Sequence, residues 1–234
     1  MNLKIYTKFK IYFYYLFSYN FKNFYRFLVK NHKISKSQVF QDLFVIYYSK
    51  FKYKGYFIEI GGGNGVDLSN TYLLEKKYKW KGIICEPDRK NQSLIKKKRE
   101  TYLEKKPLDI NCNKKKVFFE NHDAYKSSLN KSQDFVKKYL TKTICLNHLI
   151  KKKKIKDIID YISIDTEGNE FEIIKKFNFK KFRVNMISIE HNFDQKKRYK
   201  IYNLLKKKNF ERVFKNLSYM DDWYINKKFS NGKN

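Results

Sequence analysis

Short apolar runs alternate with segments of helical periodicity from Gly55 onward. The apolar runs are rich in β-branched and aromatic residues, as buried strands are, and they predict strands at 56–60, 82–86, 107–110, 160–165 and 184–190. The segments near 68–78, 90–100, 143–151, 169–177 and 194–208 repeat apolar residues at helical spacing. Because strands that are apolar throughout alternate with helices, the pattern predicts an α/β domain with a doubly wound, parallel sheet.

Three segments depart from this alternation. Residues 1–33 interleave Tyr and Phe with Lys and Arg and predict a helical extension, which either packs on the domain or lies on an anionic membrane surface. The insertion after Ile110 predicts a short hairpin and a loop, and residues 209–226 predict two antiparallel strands at one edge of the sheet. We therefore expect an extension at 1–33, a single domain over 34–228 and a disordered tail at 229–234.

The charge of the chain is strongly unbalanced, with 53 Lys and Arg against 23 Asp and Glu and a formal net charge of +30. Such a charge suits nucleic acid or an anionic membrane surface. Lys, Asn, Ile, Phe and Tyr are all abundant, however, which is the composition that an AT-rich genome produces for any function. Arg, the residue favoured for recognition of bases and phosphates, occurs only six times. A nucleic-acid partner is therefore not the preferred interpretation.

The three cysteines, Cys85, Cys112 and Cys145, lack the spacing of a zinc site and are expected to be reduced thiols. The N-terminus has no signal-peptide cleavage site, and its longest apolar run, from Ile11, is far shorter than a membrane span. We therefore expect a cytoplasmic protein, with peripheral contact to a membrane through residues 1–33 as the alternative.

Four glycines fall within five residues, Gly61 to Gly65, directly after the first strand. In an open parallel sheet, ligands bind outside the carboxyl ends of the strands, where this turn lies. A dinucleotide site needs Gly-x-Gly-x-x-Gly, and the third glycine is missing. The sequence instead has Glu59-x-Gly61-x-Gly63-x-Gly65. A carboxylate beside the turn repels phosphates and attracts the cationic groups of S-adenosylmethionine, so this spacing favours the methyl donor.

Two more acidic residues follow predicted strands and are candidates for binding the same cofactor. Glu86 ends the second strand, where a carboxylate accepts hydrogen bonds from both ribose hydroxyls, although a residue that opens a helix is the alternative. Asp109 ends the third predicted strand, where it would accept a hydrogen bond from the adenine amino group or be a plain turn residue.

From about Ser37 to Asn226 the chain resembles the FkbM family of S-adenosylmethionine-dependent methyltransferases. The resemblance depends on an ordered set of stretches: SQVFQDLFV (37–45), the strand, glycine turn and second strand (55–88), SSL (127–129), DYISIDTEGNEFEII (160–174), ISIEHN (187–192) and DDWYI (221–225). It implies the Rossmann-like class I methyltransferase fold, a seven-stranded sheet whose last strand is antiparallel. It also implies O-methylation, commonly of sugars in glycans or of natural products.

The proton-transfer chemistry should lie at the same edge of the sheet as the glycine turn. A sugar hydroxyl hardly ionises at neutral pH, so either a general base takes its proton or a bound cation lowers its pKa. One hypothesis has Asp165, Glu190 and Asn192 hold a divalent ion such as Mg²⁺. The other has His191 as the base, with the carboxylates orienting it or the sugar. The catalytic candidates are therefore Asp165, Glu190 and His191.

Three further acidic or polar residues have open roles. Glu170 is explained by its place in the first turn of a helix, and Glu167, beside Asp165, is the better site candidate. Gln41 precedes the first strand and would contact the amino acid end of the cofactor or the acceptor, or would simply cap a helix beginning near Ser37.

The function that these residues predict is methyl transfer from S-adenosylmethionine to a hydroxyl of a sugar in a glycan, polysaccharide or nucleotide sugar. A nucleic-acid methyltransferase is an alternative favoured by the charge, but an Asn-Pro-Pro-Tyr loop is absent. A binding protein that has lost catalysis is a third possibility, against which the acids at both strand ends argue.

Overall fold

The structure is a computed structural model, and it describes residues 22–121, 127–129, 135–155 and 158–230. Its helices are α1 (Lys22–Asn31), α2 (Gln41–Tyr48), α3 (Tyr72–Tyr78), α4 (Arg89–Lys98), α5 (Leu146–Lys152), α6 (Glu170–Lys175), α7 (Gln195–Lys207) and α8 (Lys227–Ser230), with a 3₁₀ turn at His32–Ile34. Its strands are β1 (Tyr56–Ile60), β2 (Lys81–Cys85), β3 (Tyr102–Glu104), β4 (Lys115–Asn121), β5 (Phe135–Lys142), β6 (Ile158–Ile164), β7 (Arg183–Glu190), β8 (Phe210–Val213) and β9 (Asp221–Asn226).

Seven strands form one sheet in the order β3-β2-β1-β6-β7-β9-β8. Neighbouring strands from β3 through to β7 pair in parallel, whereas β9 runs antiparallel between β7 and β8. This arrangement confirms the predicted mostly parallel, seven-stranded sheet with an antiparallel last strand. The carboxyl ends of β1, β6 and β7 and the amino end of β9 therefore lie at the same edge.

Two layers of helices cover the sheet because its central strands are apolar on both faces. On one face Ile58, Ile162 and Ile187 pack with residues of α5, α6 and α7. On the other face Phe57, Tyr161 and further strand residues pack with residues of α1, α2, α3 and α4. The successive residues of each strand point to opposite faces, so a continuous apolar run supplies both cores.

The N-terminal extension packs on the domain through α1. Phe24, Tyr25 and Leu28 are buried, and the Phe24 ring lies 4.3 Å from the ring of Phe214, centroid to centroid. The apolar face of α1 therefore packs against the domain. This is the arrangement expected if the extension packs on the domain and does not lie on a membrane. Residues 1–21 lie outside the described residues. None of the helices in the described ranges has the length and apolar character needed to cross a bilayer.

Two local predictions differ from the structure. The third strand of the sheet is Tyr102–Glu104, and the predicted strand at 107–110 forms only an isolated bridge, between Leu108 and Ile144. The true strand has three residues at the edge of the sheet with one of them buried, which is too short to give a periodic signal. The insertion does contain a two-stranded sheet, but β4 pairs with β5, which lies beyond the segment where the hairpin was expected. At the C-terminus α8 reaches Ser230, and residues 231–234 of the predicted tail lie outside the described residues.

The prediction of three reduced thiols is wrong for two of them. Cys112 and Cys145 form a disulfide with their Cα atoms 5.0 Å apart, and Cys85 is free and buried. The pairing was hidden because the two cysteines lie 33 positions apart in the sequence. In the fold the two segments are neighbours, since Asn113 N–H donates to the Thr143 carbonyl and Thr143 N–H to the Lys114 carbonyl.

Arg99 is fully buried at the end of α4 and fixes the glycine turn to the rest of the domain. Its guanidinium donates to the Gly65 carbonyl at 2.7 Å and to Glu75 at 3.0 Å, and it lies 3.7 Å from Glu59. A guanidinium suits this place because its five donors reach several acceptors at once. The turn, α3 and α4 are thereby held as one unit.

Replacing Arg99 by Met should lower the free energy of unfolding by roughly 3–5 kcal/mol, because two carboxylates would stay buried without their cation. Chemical denaturation measures the loss. Lys97→Met, an exposed position on the same helix, is the matched control and should leave stability unchanged. Equal stability of the two variants would mean that Arg99 does not hold the turn.

Candidate active site

The glycine turn meets the end of β6 through the main chain alone. A Cβ atom at position 61 would lie 1.6 Å from the Asp165 carbonyl oxygen, and Gly61 has a φ of 83°. Side chains are excluded at two further positions, since a Cβ on Gly62 or Gly65 would lie 2.3 Å from Ile84 or 2.8 Å from Ile95. These glycines are thus required by internal packing, a reason that the spacing of glycines in the sequence does not reveal.

Glu59 has a structural task beside this turn. Its buried carboxylate accepts hydrogen bonds from Ser69 Oγ at 3.0 Å, Asn70 N–H at 2.7 Å and Thr71 Oγ1 at 2.5 Å. Together with Arg99, these donors engage both carboxylate oxygens. Glu59 therefore anchors the segment that leads from the turn into α3, and its contact with a cofactor stays a prediction.

Glu86 lies directly after β2 and faces the glycine turn. It is 5% exposed, accepts a hydrogen bond from Asp88 N–H at 2.8 Å, and also accepts one from Gly63 N–H. Burial raises the pKa of Glu86 to about 8, although both hydrogen bonds act to lower it. A buried carboxylate with a raised pKa beside a turn of bare main chain suits a ligand with two adjacent hydroxyls.

Asp109 is buried in the segment that follows β3. Its Oδ2 lies 2.8 Å from Lys116 Nζ, and its Oδ1 accepts a hydrogen bond from Ile110 N–H. Because the predicted third strand is misplaced, Asp109 lies five residues beyond the end of β3 and not at the end of a strand. Its role toward adenine remains a prediction.

Gln41 is buried and both ends of its amide are engaged within the protein. Its Nε2 donates to Asp221 Oδ2 at 2.6 Å, and its Oε1 accepts from Val39 N–H at 2.9 Å. The residue that starts α2 thus fixes the carboxyl at the amino end of β9. Both polar atoms of the Gln41 amide are therefore occupied within the protein.

Asp165, Glu190 and Asp221 meet at one edge of the sheet. Glu190 and Asp221 face each other in the register of β7 and β9, and one carboxylate oxygen each of Asp165, Glu170 and Glu190 lies within 4.8 Å of the others. Desolvation and the negative charge of Glu190, Asp221 and Glu167 raise the pKa of half-buried Asp165 well above its usual range. Burial likewise raises the pKa of Glu190 to about 8 and that of Asp221 to about 7. Each of these three carboxyls therefore binds a proton more tightly than an ordinary carboxyl does.

Glu170 belongs to this cluster but its oxygens are already used. Its Oε1 accepts from Thr166 N–H and Gly168 N–H, which closes the turn before α6, and its Oε2 lies 2.9 Å from Lys197 Nζ. This agrees with the prediction that its position in the first turn explains it. Lys197, on α7, brings one ammonium group to the carboxyl cluster. Glu167, with φ 57°, lies in the same turn and acts electrostatically on Asp165.

His191 has a geometry that does not suit a general base. It is 1% exposed, and its Nδ1 accepts a hydrogen bond from Phe193 N–H at 3.1 Å. The proton of the neutral ring therefore lies on Nε2, 4.0 Å from Asp222 Oδ1, and burial lowers the pKa of the ring. With its lone pair engaged and its other nitrogen protonated, the ring has no free site to accept a proton.

The proposed ligand set for a divalent ion is only partly assembled. Asp165 and Glu190 come together, but Asn192 is exposed and its N–H donates to the Met220 carbonyl outside the cluster. Glu170 takes the third place, with Lys197 bound to one of its oxygens. Mg²⁺ needs near-octahedral oxygen ligands, and an ammonium on one of three carboxylates does not fit that requirement. The donor set therefore does not support a Mg²⁺ site.

Two residues at the carboxyl cluster escaped the sequence analysis, Asp221 and Lys197. Asp221 begins a strand, whereas acids were sought at the ends of strands. Because β9 is antiparallel, its first residue lies at the same edge as the last residues of β6 and β7. The antiparallel strands predicted within residues 209–226 could have shown that the first residue of the last strand lies at this edge. Lys197 is one of many lysines, and nothing in the sequence distinguishes it.

The chemistry of the edge fits S-adenosylmethionine. The glycine turn presents main chain without side chains at this edge, Glu86 suits the ribose, and the acidic edge beside the turn suits a cationic sulfonium. A pyrophosphate would meet these acids instead of donors or cations. The residues present are thus compatible with the methyl donor.

Solved structures with a similar fold include methyltransferases of low sequence identity. Precorrin-6y C5,15-methyltransferase from Geobacter metallireducens is 10% identical, with a TM-score of 0.44 and coverage of 79% of this chain and 84% of its own. The human methyltransferase 10 domain containing protein is 13% identical, with a TM-score of 0.43 and 80% coverage of each chain. A methyltransferase from Pyrococcus furiosus is 12% identical, with a TM-score of 0.37 and coverage of 77% and 78%. Likenesses at this level carry no argument about substrate.

No curated protein sequence matches this chain. The family comparison is decisive, because the methyltransferase FkbM domain matches residues 59–219, from Glu59 in β1 to the residues just before β9. This range contains the glycine turn, Glu86, Asp165, Glu190 and His191. The chain therefore belongs to the FkbM family of methyltransferases, for which S-adenosylmethionine is the methyl donor.

Proposed function

We propose that the protein transfers a methyl group from S-adenosylmethionine to a hydroxyl of a sugar in a glycan, polysaccharide or nucleotide sugar. The observation that carries this proposal is a direct main-chain contact. Gly61 in the glycine turn lies against the carbonyl of Asp165, which belongs to the carboxyl cluster. A donor bound over the turn and an acceptor bound over the carboxyls would be neighbours.

The residues of this chain have two tasks in such a reaction. S-adenosylmethionine supplies a methyl carbon already activated by its sulfonium, so the protein must align two reactants and remove one proton. Asp165 is the proton acceptor that the geometry favours, since it is half-buried whereas Glu190 and Asp221 beside it are buried. Its raised pKa makes it a stronger base than an ordinary carboxylate. Glu190 and Asp221 lie beside it at the same edge of the sheet.

Hydroxyl chemistry is preferred over nucleic-acid methylation because of the charges at the site. The net charge of +30 favours a nucleic acid, but the edge where a substrate must enter carries Asp165, Glu167, Glu190 and Asp221. A phosphate backbone approaching these carboxyls would be repelled. A protein that only binds the donor would have no use for such an arrangement of proton acceptors.

Replacing Glu86 by Gln should weaken binding of S-adenosylmethionine by roughly 10- to 100-fold, the range expected when a charge-assisted hydrogen bond is lost. The wild-type affinity should rise as pH increases toward 8, because the ionised carboxylate is the better acceptor and its pKa in the free protein is about 8. Calorimetry across this pH range measures both effects. The exposed residue Glu100 provides the control, Glu100→Gln, which should keep the wild-type affinity and pH dependence. An unchanged affinity in Glu86→Gln would remove Glu86 from the binding site.

Asp165→Asn and His191→Gln should separate the two candidates for the base. Asp165→Asn should lower kcat by roughly 10²- to 10⁴-fold, the contribution of a general base, while donor binding by calorimetry stays within a few-fold of wild type. His191→Gln should lose thermal stability, since His191 is buried, but its folded fraction should keep kcat within a few-fold of wild type. A large loss of kcat in His191→Gln with wild-type turnover in Asp165→Asn would reverse the assignment.

A further inference from the structure

The carboxyl cluster is an electrostatic exception within this chain. The whole sequence has 53 Lys and Arg against 23 Asp and Glu. Yet four carboxyls act together on Asp165, those of Glu190, Asp221, Glu167 and Glu170. Random placement of charges in such a basic chain would surround an acid with lysines. Even with the Lys197 ammonium beside Glu170, negative charge is in excess at this edge, which indicates that a further positive charge belongs there.

One oxygen of this cluster has no partner. Glu190 is 4% exposed. Within the part of the chain that the structure describes, its buried Oε2 receives no hydrogen bond. Leaving a buried carboxylate oxygen unpaired costs free energy, and such groups usually have a ligand, an ion or a proton as partner. A donor that comes from outside the protein would satisfy Glu190 Oε2.

The neighbouring Glu170 shows which kind of donor the cluster accepts. Its Oε2 is paired with an ammonium group, that of Lys197, at 2.9 Å. An ammonium has three donors and a positive charge, so it can satisfy several carboxylate oxygens at once. A neutral hydroxyl donates one hydrogen bond and brings no charge. The environment of Glu190, with Asp165 and Asp221 beside it, is suited to an ammonium more than to a hydroxyl.

The proton affinities of the cluster agree with this geometry. Burial and neighbouring negative charges raise the pKa of Glu190 to about 8 and that of Asp221 to about 7. Even with the Lys197 ammonium nearby, protons must therefore neutralise part of the cluster at neutral pH. An ammonium group would take over this task and leave the carboxylates ionised, which is the state that Asp165 needs in order to accept a proton.

We propose that the acceptor carries a protonated amine beside the hydroxyl that is methylated, as an amino sugar does, and that this ammonium donates to Glu190 Oε2. The inference rests on the proposed function, because it assigns the acceptor of the same site. Glu190 is then a specificity-determining residue that binds the acceptor, while Asp165 takes the proton of the hydroxyl.

The test uses the full chain, labelled S-adenosylmethionine and a glycan extract of the cells that the protein comes from. Half of the extract is treated with acetic anhydride in aqueous bicarbonate, which acetylates amines and removes their charge while leaving hydroxyls free. Incorporation of label into the untreated half should exceed incorporation into the acetylated half by at least about tenfold, the size of one charge-assisted contact. Equal labelling of the two halves would overturn the amine assignment and leave the proposed function standing. Labelling of neither half, with the donor bound in calorimetry, would overturn the proposed glycan acceptor and the amine assignment with it.

Glu190→Gln identifies the group that the ammonium belongs to. This variant should label both halves equally and bind the donor within about twofold of wild type. If it instead weakens donor binding tenfold and keeps the preference for the untreated half, the ammonium is that of the donor and the inference fails. Glu172→Gln, a change of the same kind at a half-exposed carboxylate of α6, is the matched control and should behave as wild type.

A chelator distinguishes an amine from a metal ion. Adding EDTA should leave the labelling of the untreated half unchanged. If EDTA abolishes labelling and Mg²⁺ restores it equally in both halves, a divalent ion takes the place next to Glu190 and the amine assignment is wrong. The wild-type comparison of the two halves decides the question even if Glu190→Gln does not fold.

Discussion

The site depends on one contact between main chains, that of Gly61 with the Asp165 carbonyl. Position 61 cannot carry a side chain, because a Cβ atom there would lie 1.6 Å from the carbonyl oxygen. The end of β1 therefore lies directly against the end of β6, as Asp165 N–H donating to the Ile60 carbonyl at 2.9 Å also requires. The glycine turn and the proposed proton acceptor are thus brought together by the sheet itself, before any side chain is considered.

The remaining parts of the site follow from the topology around this contact. Parallel β6 and β7 place Asp165 and Glu190 at one edge, and antiparallel β9 adds Asp221 to it. Buried polar contacts then fix the pieces: Arg99 holds the glycine turn, and Gln41 holds Asp221. A strongly basic chain thus places a cluster of carboxyls at this edge of the sheet, which is a costly arrangement unless a cation neutralises it.

The sequence was sufficient for the architecture because the strands and helices are long and periodic. The strands β1, β2, β6 and β7 were predicted to within two residues at each end, and Glu86, Asp165 and Glu190 lie where strand ends were expected. Prediction failed where the signal is short or non-local. The three-residue strand β3 has no periodicity, the Cys112–Cys145 pair spans 33 residues, and Asp221 lies at the start of a strand.

Side-chain chemistry was the least predictable part, because a sequence gives the type of a residue and not its partners. Glu59 and Gln41 have the types that a cofactor site uses, but their polar atoms are engaged by Ser69, Thr71 and Asp221. His191 has the type of a general base, but its free lone pair is taken by Phe193 N–H. Only the hydrogen-bond partners distinguish a group that supports a site from one that reacts in it.

A crystal structure of the protein with S-adenosylhomocysteine tests the central claim most directly. The account predicts a nucleoside lying on the main chain of residues 61–65, with both ribose hydroxyls on the Glu86 carboxylate and its sulfur directed toward Asp165. Electron density for the ligand at another edge of the sheet, or a pyrophosphate compound bound at this turn in its place, would contradict the account.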